Sequence, residues 1–174
     1  AYPFLFDNLL QERLVSFAAK LSDHIAAVLA AAEKFYEVLD QFFQEERSHQ
    51  SFLPVKIRVM PEHRVDPTWQ LIAQLGEELS AALNSLAADS FAVLDMVKAS
   101  TIDDDEHATS LPKGCEELFS LGNTSRELAG TVAACINEEN DNFVAWVEYS
   151  DTQRKPSINI APVEINELLH DLLY

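Results

Sequence analysis

The chain has 174 residues, of which 48% are hydrophobic and only 4 are glycine and 7 proline. This length can bury a core, and the low glycine and proline content excludes a turn-rich all-β fold and a disordered chain. Twelve Lys and Arg against 29 Asp and Glu give a formal net charge of −17, which excludes a nucleic-acid clamp that uses the whole surface. The simplest interpretation is that the charge keeps exposed helix faces soluble.

A long first helix is predicted over residues 7–50. Its apolar residues recur every three or four positions, which places them on one stripe of a helix. Alanines, the best helix formers, crowd the same segment, and neither Gly nor Pro interrupts it. A helix of this length must lie against other helices to be stable in water. The stripe consists of Leu10, Leu14, Phe17, Leu21, Ile25, Val28, Ala32, Phe35, Leu39 and Phe42.

A short strand is predicted at residues 55–59, where apolar side chains alternate with Lys56 and Arg58. Pro54 and Pro61 bracket this segment, so we expect the strand to be short and to lie at the edge of a sheet.

Two more long helices follow in the prediction. The first spans residues 66–100, with Asp66 as N-cap and Pro67 at the first helical position. Residues 101–114 form a loop by composition, because they contain a run of four adjacent acidic side chains. The next helix spans residues 115–139. We expect the first two long helices to pack as an antiparallel pair.

The last part of the chain changes character. Residues 143–160 read as a β-hairpin, because β-forming residues precede a polar turn and a second alternating segment. A last short helix is predicted over residues 163–173, after Ala161-Pro162. These elements predict a mainly α (α+β) fold, with long antiparallel helices and a small hairpin and short strand near the C-terminal end, in a single domain over residues 1–174.

Motifs for catalysis or metal binding are incomplete. Glu46 and His49 have the Glu-x-x-His spacing of di-iron bundles, but that site needs the motif twice and two more glutamates. No phosphate loop, dinucleotide fingerprint or nucleophile elbow occurs. Cys115 and Cys135 are predicted to be buried free thiols, which suits a reducing cytoplasm. We therefore expect no catalytic residue, no metal ligand and no cofactor in this chain.

A cytoplasmic location without a membrane partner is also expected. No apolar run approaches the roughly 18–20 residues that span a bilayer, and the start lacks the charged region of a signal peptide.

Basic residues gather in one part of this acidic chain. If the strand at residues 55–59 pairs with the hairpin, some of them converge beside Trp146 or Tyr149, whose rings can stack on an unpaired base. The alternative is that Lys56 and Arg58 only form the wet face of an edge strand and so block aggregation. The candidate nucleic-acid contacts are Lys56, Arg58, Arg64, Arg154, Lys155 and Trp146.

The tail also carries a family pattern. A V-x-W-x-E strand at residues 144–148 leads through a polar turn to a second strand, then to Ala161-Pro162, alternating hydrophobic residues and Leu168-Leu169. This arrangement resembles a segment of the DinG-type DNA helicases. The long Ala/Leu helix, the short basic strand and the two later helices are similar to the same family in layout, so that the resemblance covers nearly the whole chain.

The resemblance implies an arch domain, the helical insertion in the first motor domain of DinG and XPD relatives. These superfamily 2 helicases hydrolyse ATP and move 5′ to 3′ along single-stranded DNA, which the arch gates or encloses. The segment is expected to follow the DEAH box and to precede the Ser/Thr-Ala-Thr motif. ATP and Mg²⁺ are then bound by the parent motor, and single-stranded DNA is the implied partner.

Two other hypotheses stay open. The acidity and the absence of catalytic motifs also suit a standalone helical adaptor, which would bind a protein partner through its acidic helix faces. A metal-dependent bundle enzyme is the third.

Overall fold

The computed structural model describes residues 3–48, 56–101, 113–136, 143–150 and 155–162. The predicted mainly α fold, with long helices and a small antiparallel sheet, is confirmed. In chain order its elements are α1 (Pro3–Ser48), β1 (Lys56–Arg58), α2 (Pro61–Arg64), α3 (Pro67–Thr101), α4 (Lys113–Ile136), β2 (Phe143–Ser150) and β3 (Lys155–Pro162).

The element boundaries follow the local chemistry of the chain. α3 begins at Pro67 as predicted, and the backbone N–H of Thr68 donates a hydrogen bond to Oδ1 of Asp66 at 2.8 Å, so Asp66 caps the helix. The short helix α2 was not predicted; it begins at Pro61, whose fixed φ suits a first helical position. The last predicted helix, at residues 163–173, lies outside the described residues.

The chain divides into two compact units. The first unit comprises residues 1–30 and 80–129, and the second comprises residues 31–79 and 130–174. Each unit therefore draws on separate parts of the chain.

In the first unit, α3 and α4 run antiparallel. Ser80 Oγ donates a hydrogen bond to the carbonyl oxygen of Ala129 at 3.1 Å. Further along α3, the rings of Phe91 and Phe119, the latter an earlier residue of α4, meet edge to face with 6.2 Å between ring centroids. The guanidinium of Arg126 lies 4.7 Å from the Phe91 ring centroid. Because later residues of α3 contact earlier residues of α4, the two helices have opposite directions.

In the same unit, α1 contributes no buried side chain among its residues 12–30. Leu14, Val15, Ile25 and Leu29 are exposed to 37%, 66%, 42% and 65%. His24 Nδ1 and Asp89 Oδ2, 3.0 Å apart, tie α1 to α3. The predicted apolar stripe of α1 is therefore only partly covered here.

Among the described residues, one helix has the length and apolar composition of a membrane span. Within Glu12–Ser48, an 18-residue window has a mean hydropathy of 1.4, and none of that window is buried. This corrects the expectation that no apolar segment reaches such a length. Core helices of soluble proteins and signal sequences can have the same length and apolar composition, so the cytoplasmic location stays a prediction.

In the second unit, α1 and α3 form the predicted antiparallel pair. The rings of Phe42 and Trp69 meet edge to face with centroids 5.2 Å apart. A Cβ added at Gly76 would lie 3.3 Å from the ring of Phe35. The two helices therefore also approach closely at Gly76 of α3 and Phe35 of α1. The large side chains of this core with less than 2% exposure are Phe35, Leu39, Phe43, Trp69, Ile72, Cys135 and Val147.

The sheet belongs to the second unit and has the order β1-β2-β3, with both pairs antiparallel. β1 lies at an edge, as its flanking prolines predicted. Alternate residues face the helical core: Ile57, Ala145 and Val147 are at most 4% exposed. The ring of Tyr149, on the same face as Val147, stacks on Phe43 of α1 at 5.3 Å between centroids. The residues between these positions point away from the core.

Candidate nucleic-acid interface

The solvent-facing side of the sheet brings together residues that are far apart in the sequence. Directly opposite residues on neighbouring strands share a face. Arg58 of β1 pairs with Trp146 of β2, and Trp146 pairs with Asn159 of β3. The next row holds Lys56, Glu148 and Ser157. We call this surface the outer sheet face: Lys56, Arg58, Trp146, Glu148, Ser157 and Asn159.

Three of these side chains form a connected group. Lys56 Nζ lies 3.1 Å from Glu148 Oε2 and 5.7 Å from the centroid of the Trp146 ring, within the range of a cation–π interaction. Trp146 Nε1 donates a hydrogen bond to the same carboxylate oxygen at 3.1 Å. Glu148 Oε2 therefore accepts from both an ammonium and an indole.

The electrostatics of Glu148 follow from these two contacts. The hydrogen bond from the Trp146 indole, together with the hydrogen bond and positive charge of Lys56, holds the pKa of the Glu148 carboxyl below its ordinary value. Glu148 is thus firmly ionised at neutral pH, and the side chains of Glu148 and Lys56 keep 32% and 60% exposure.

The sheet differs in charge from the chain as a whole. Its strands carry three cationic side chains, Lys56, Arg58 and Lys155, against the single carboxylate of Glu148. The full chain has a formal net charge of −17. A polyanion is therefore attracted by the charges of the strands and repelled by the rest of the chain.

The third strand completes the surface with neutral polar groups. Asn159 Nδ2 donates a hydrogen bond to Ser157 Oγ at 3.1 Å, and Ser157 Oγ lies 3.4 Å from the backbone carbonyl oxygen of Glu148, to which it donates. Trp146 thus has a basic residue on one side and an amide on the other.

The remaining predicted contacts differ in position. Arg64 Nη1 donates a hydrogen bond to the carbonyl oxygen of Ile136 at 3.1 Å, and the guanidinium lies 5.8 Å from the Trp69 ring centroid. Arg64 thus joins the helical core rather than the outer sheet face. Lys155 is exposed at the first position of β3, opposite Ser150, and alternation places it on the same side of the sheet as Ser157 and Asn159, one row beyond Glu148. Arg154 lies outside the described residues.

Sequence reasoning missed the roles of Glu148 and Asn159 on this face. The strict alternation of β2 places Glu148 on the same side as Trp146, and that signal is present in the sequence. The pairing of Asn159 with Trp146 depends on the length of the hairpin connection, which a periodic pattern does not define.

The Glu-x-x-His motif is used differently from a metal site. Glu46 Oε2 lies 3.4 Å from Nε2 of His63, whose Nδ1 accepts a hydrogen bond from the backbone N–H of Met60 at 3.0 Å. His49 lies outside the described residues. Within the described ranges, no three His, Cys, Asp or Glu side chains converge in the manner of a metal site.

Comparisons with protein-family models, with curated proteins and with solved structures each found no match. Support for the candidate site therefore comes from the geometry of this chain alone.

Proposed function

We propose that this chain is the arch segment of a DinG-type, ATP-dependent DNA helicase, and that its outer sheet face contacts single-stranded DNA. The observation that supports the DNA contact is the row in which Arg58 lies directly opposite Trp146, with Lys56 one row away. ATP and Mg²⁺ belong to the parent motor in this proposal, and the segment itself guides or gates the strand.

The chemistry of this face suits a single strand rather than a duplex. Cationic side chains bind backbone phosphates, while an indole stacks on an unpaired base and contributes about 1–3 kcal/mol. Paired bases are already stacked inside a duplex and do not offer a free ring. The excess of cations is local, so we expect weak binding by the isolated chain and a steep dependence on salt.

Fluorescence anisotropy with a labelled oligo-dT strand at low salt tests this proposal. Trp146→Ala is expected to weaken binding by at least about fivefold, because the stacking surface is removed. Phe119→Ala removes a different exposed ring, on α4, and is expected to leave affinity unchanged. Equal affinities of wild type and Trp146→Ala would overturn the stacking role of this face.

Charge reversal in the full parent protein tests the helicase context. Lys56→Glu combined with Arg58→Glu is expected to reduce DNA-stimulated ATPase while leaving the basal rate unchanged. Arg13→Glu combined with Lys34→Glu, an equal charge change at two exposed positions of α1, is the matched control. If DNA stimulation is unchanged in the double variant, Lys56 and Arg58 do not contact DNA and only form the solvated face of an edge strand. A parent gene without a phosphate loop and a DEAH box would remove the helicase assignment.

A second candidate function, a protein-interaction module, is favoured by the uncovered part of α1. Val15 and Leu29 are 66% and 65% exposed. A folded Val15→Ser/Leu29→Ser variant that loses a purified partner bound by the wild type, yet keeps its affinity for oligo-dT, would support this function.

A further inference from the structure

Glu148 holds the two groups that a nucleic-acid strand needs on the outer sheet face. Its Oε2 atom is 3.1 Å from Lys56 Nζ and 3.1 Å from Trp146 Nε1. The ammonium in turn lies 5.7 Å from the centroid of the indole ring. In this arrangement the cation is neutralised and one part of the ring is covered by it.

A carboxylate and a phosphodiester present the same chemistry to a lysine. Both are monoanionic and accept hydrogen bonds through oxygen, and the ammonium of Lys56 is a compact donor without directional preference between them. The exposures of 60% for Lys56 and 32% for Glu148 let solvent and ligands reach both side chains, so an exchange of partners needs no change of the backbone.

Loss of the Lys56–Glu148 contact also affects the ring. When the ammonium moves to a phosphate, it leaves its position above Trp146, and that part of the indole becomes free for a base. Phosphate binding and base stacking are therefore coupled through one lysine side chain.

Resting on the proposed function, we infer that Glu148 is a built-in competitor for the phosphate of single-stranded nucleic acid, which keeps the Lys56–Trp146 site closed until a strand displaces it. The ligand must offer a phosphate and an unpaired base together. Free inorganic phosphate lacks the base, and a duplex lacks the unpaired ring. The competitor thus favours single strands over other polyanions.

Glu148→Gln is the variant that tests the competitor. The glutamine oxygen still accepts a hydrogen bond from Trp146 Nε1, whereas the charge that holds Lys56 is lost. We expect the variant to bind oligo-dT roughly two- to fivefold more tightly than the wild type, the range of an exposed ion pair. Glu77→Gln makes the same change of net charge at an exposed position of α3, outside the sheet, and is expected to bind like the wild type.

A double-mutant cycle locates the effect on Lys56. Lys56→Gln should reduce affinity more strongly in the Glu148→Gln background than in the wild type, because only there is the ammonium already released. Additive effects of the two substitutions would overturn the inference. Circular dichroism of each variant shows whether the fold is retained.

The outcomes separate this inference from the proposed function. If Trp146→Ala weakens binding but Glu148→Gln and Glu77→Gln behave alike, the surface binds DNA and the competitor role is wrong. If Glu148→Gln binds and the wild type does not, the competitor role is supported in its strongest form. If neither the wild type nor Glu148→Gln binds oligo-dT at low salt, both proposals fail.

Discussion

The guanidinium of Arg64 donates a hydrogen bond from Nη1 to the backbone carbonyl oxygen of Ile136, at 3.1 Å and across 72 residues of sequence. Ile136 is the last described residue of α4. The same guanidinium lies against the ring of Trp69 at 5.8 Å. Arg64 therefore connects the ends of two helices with the aromatic core of the second unit.

Arg64→Ala is expected to reduce the free energy of unfolding by about 2–3 kcal/mol, because a charge-assisted hydrogen bond and a cation–π contact are lost together. Arg64→Lys keeps the charge but not the planar group, so we expect a smaller loss. Urea denaturation measures both. An Arg64→Ala variant as stable as the wild type, but weaker in binding oligo-dT, would instead support the role in nucleic-acid contact predicted from the sequence.

The ionisation of Glu148 gives a second prediction. Its pKa is lower in the folded chain than in the unfolded chain. The contacts of the carboxylate therefore stabilise the fold at pH values above 4.5, the ordinary pKa of the group. That stability is lost as the pH falls through the lowered value. In an NMR titration, Trp146→Phe is expected to raise the pKa of Glu148, because the indole hydrogen bond is the largest cause of the shift. Lys56→Gln should raise it too, because the ammonium supplies both a hydrogen bond and a positive charge, and Phe119→Ala should not change it.

Two glycines on helices are expected to respond to alanine with opposite signs. A Cβ at Gly76 would lie 2.9 Å from Cδ1 of Ile136 and 3.3 Å from the buried ring of Phe35, so Gly76→Ala should destabilise the second unit by about 1–2 kcal/mol despite the gain in helix propensity. A Cβ at Gly130 meets no heavy atom within 4 Å, so Gly130→Ala should stabilise α4 by about 0.5–1 kcal/mol. Thermal unfolding of both variants checks this pair, and equal shifts would contradict the close packing at Gly76.

Cys135 is expected to be unreactive in the native chain. Burial raises the pKa of its thiol to about 11, against the opposing effect of the Arg64 charge. At pH 8 roughly one thiol in a thousand is then ionised, and only the thiolate attacks disulfide reagents. In a Cys115→Ser variant, labelling of Cys135 should be slow in buffer and fast in urea. Fast labelling in buffer would show that the core around Cys135 opens readily.

Helical periodicity predicts the elements well and their burial unevenly. Phe35, Leu39 and Phe42 lie in the predicted stripe of α1 and are at most 2% exposed. Leu14 and Ile25 lie in the same stripe, yet they are 37% and 42% exposed. Periodicity identifies the apolar side of a helix, but the extent to which neighbours cover that side is a property of the tertiary structure.

The sequence likewise predicts one part of the candidate site and not another. The alternation of side chains in the short strand and in the hairpin is enough to assign Lys56, Arg58 and Trp146 to defined faces of their strands. The pairing of β1 with β2 then brings them together. For Arg64, by contrast, the partner is a carbonyl group at the far end of another helix, and no local pattern points to it.

The position of β1 has a consequence for folding. β2 and β3 are joined by a short connection and can pair locally, whereas β1 is separated from β2 by the whole of α3 and α4. Closing so long a stretch of chain is entropically unfavourable until the helices have paired and brought its ends together. The outer sheet face is therefore expected to assemble last, so that the Arg58–Trp146 row exists only in chains whose helices have already folded.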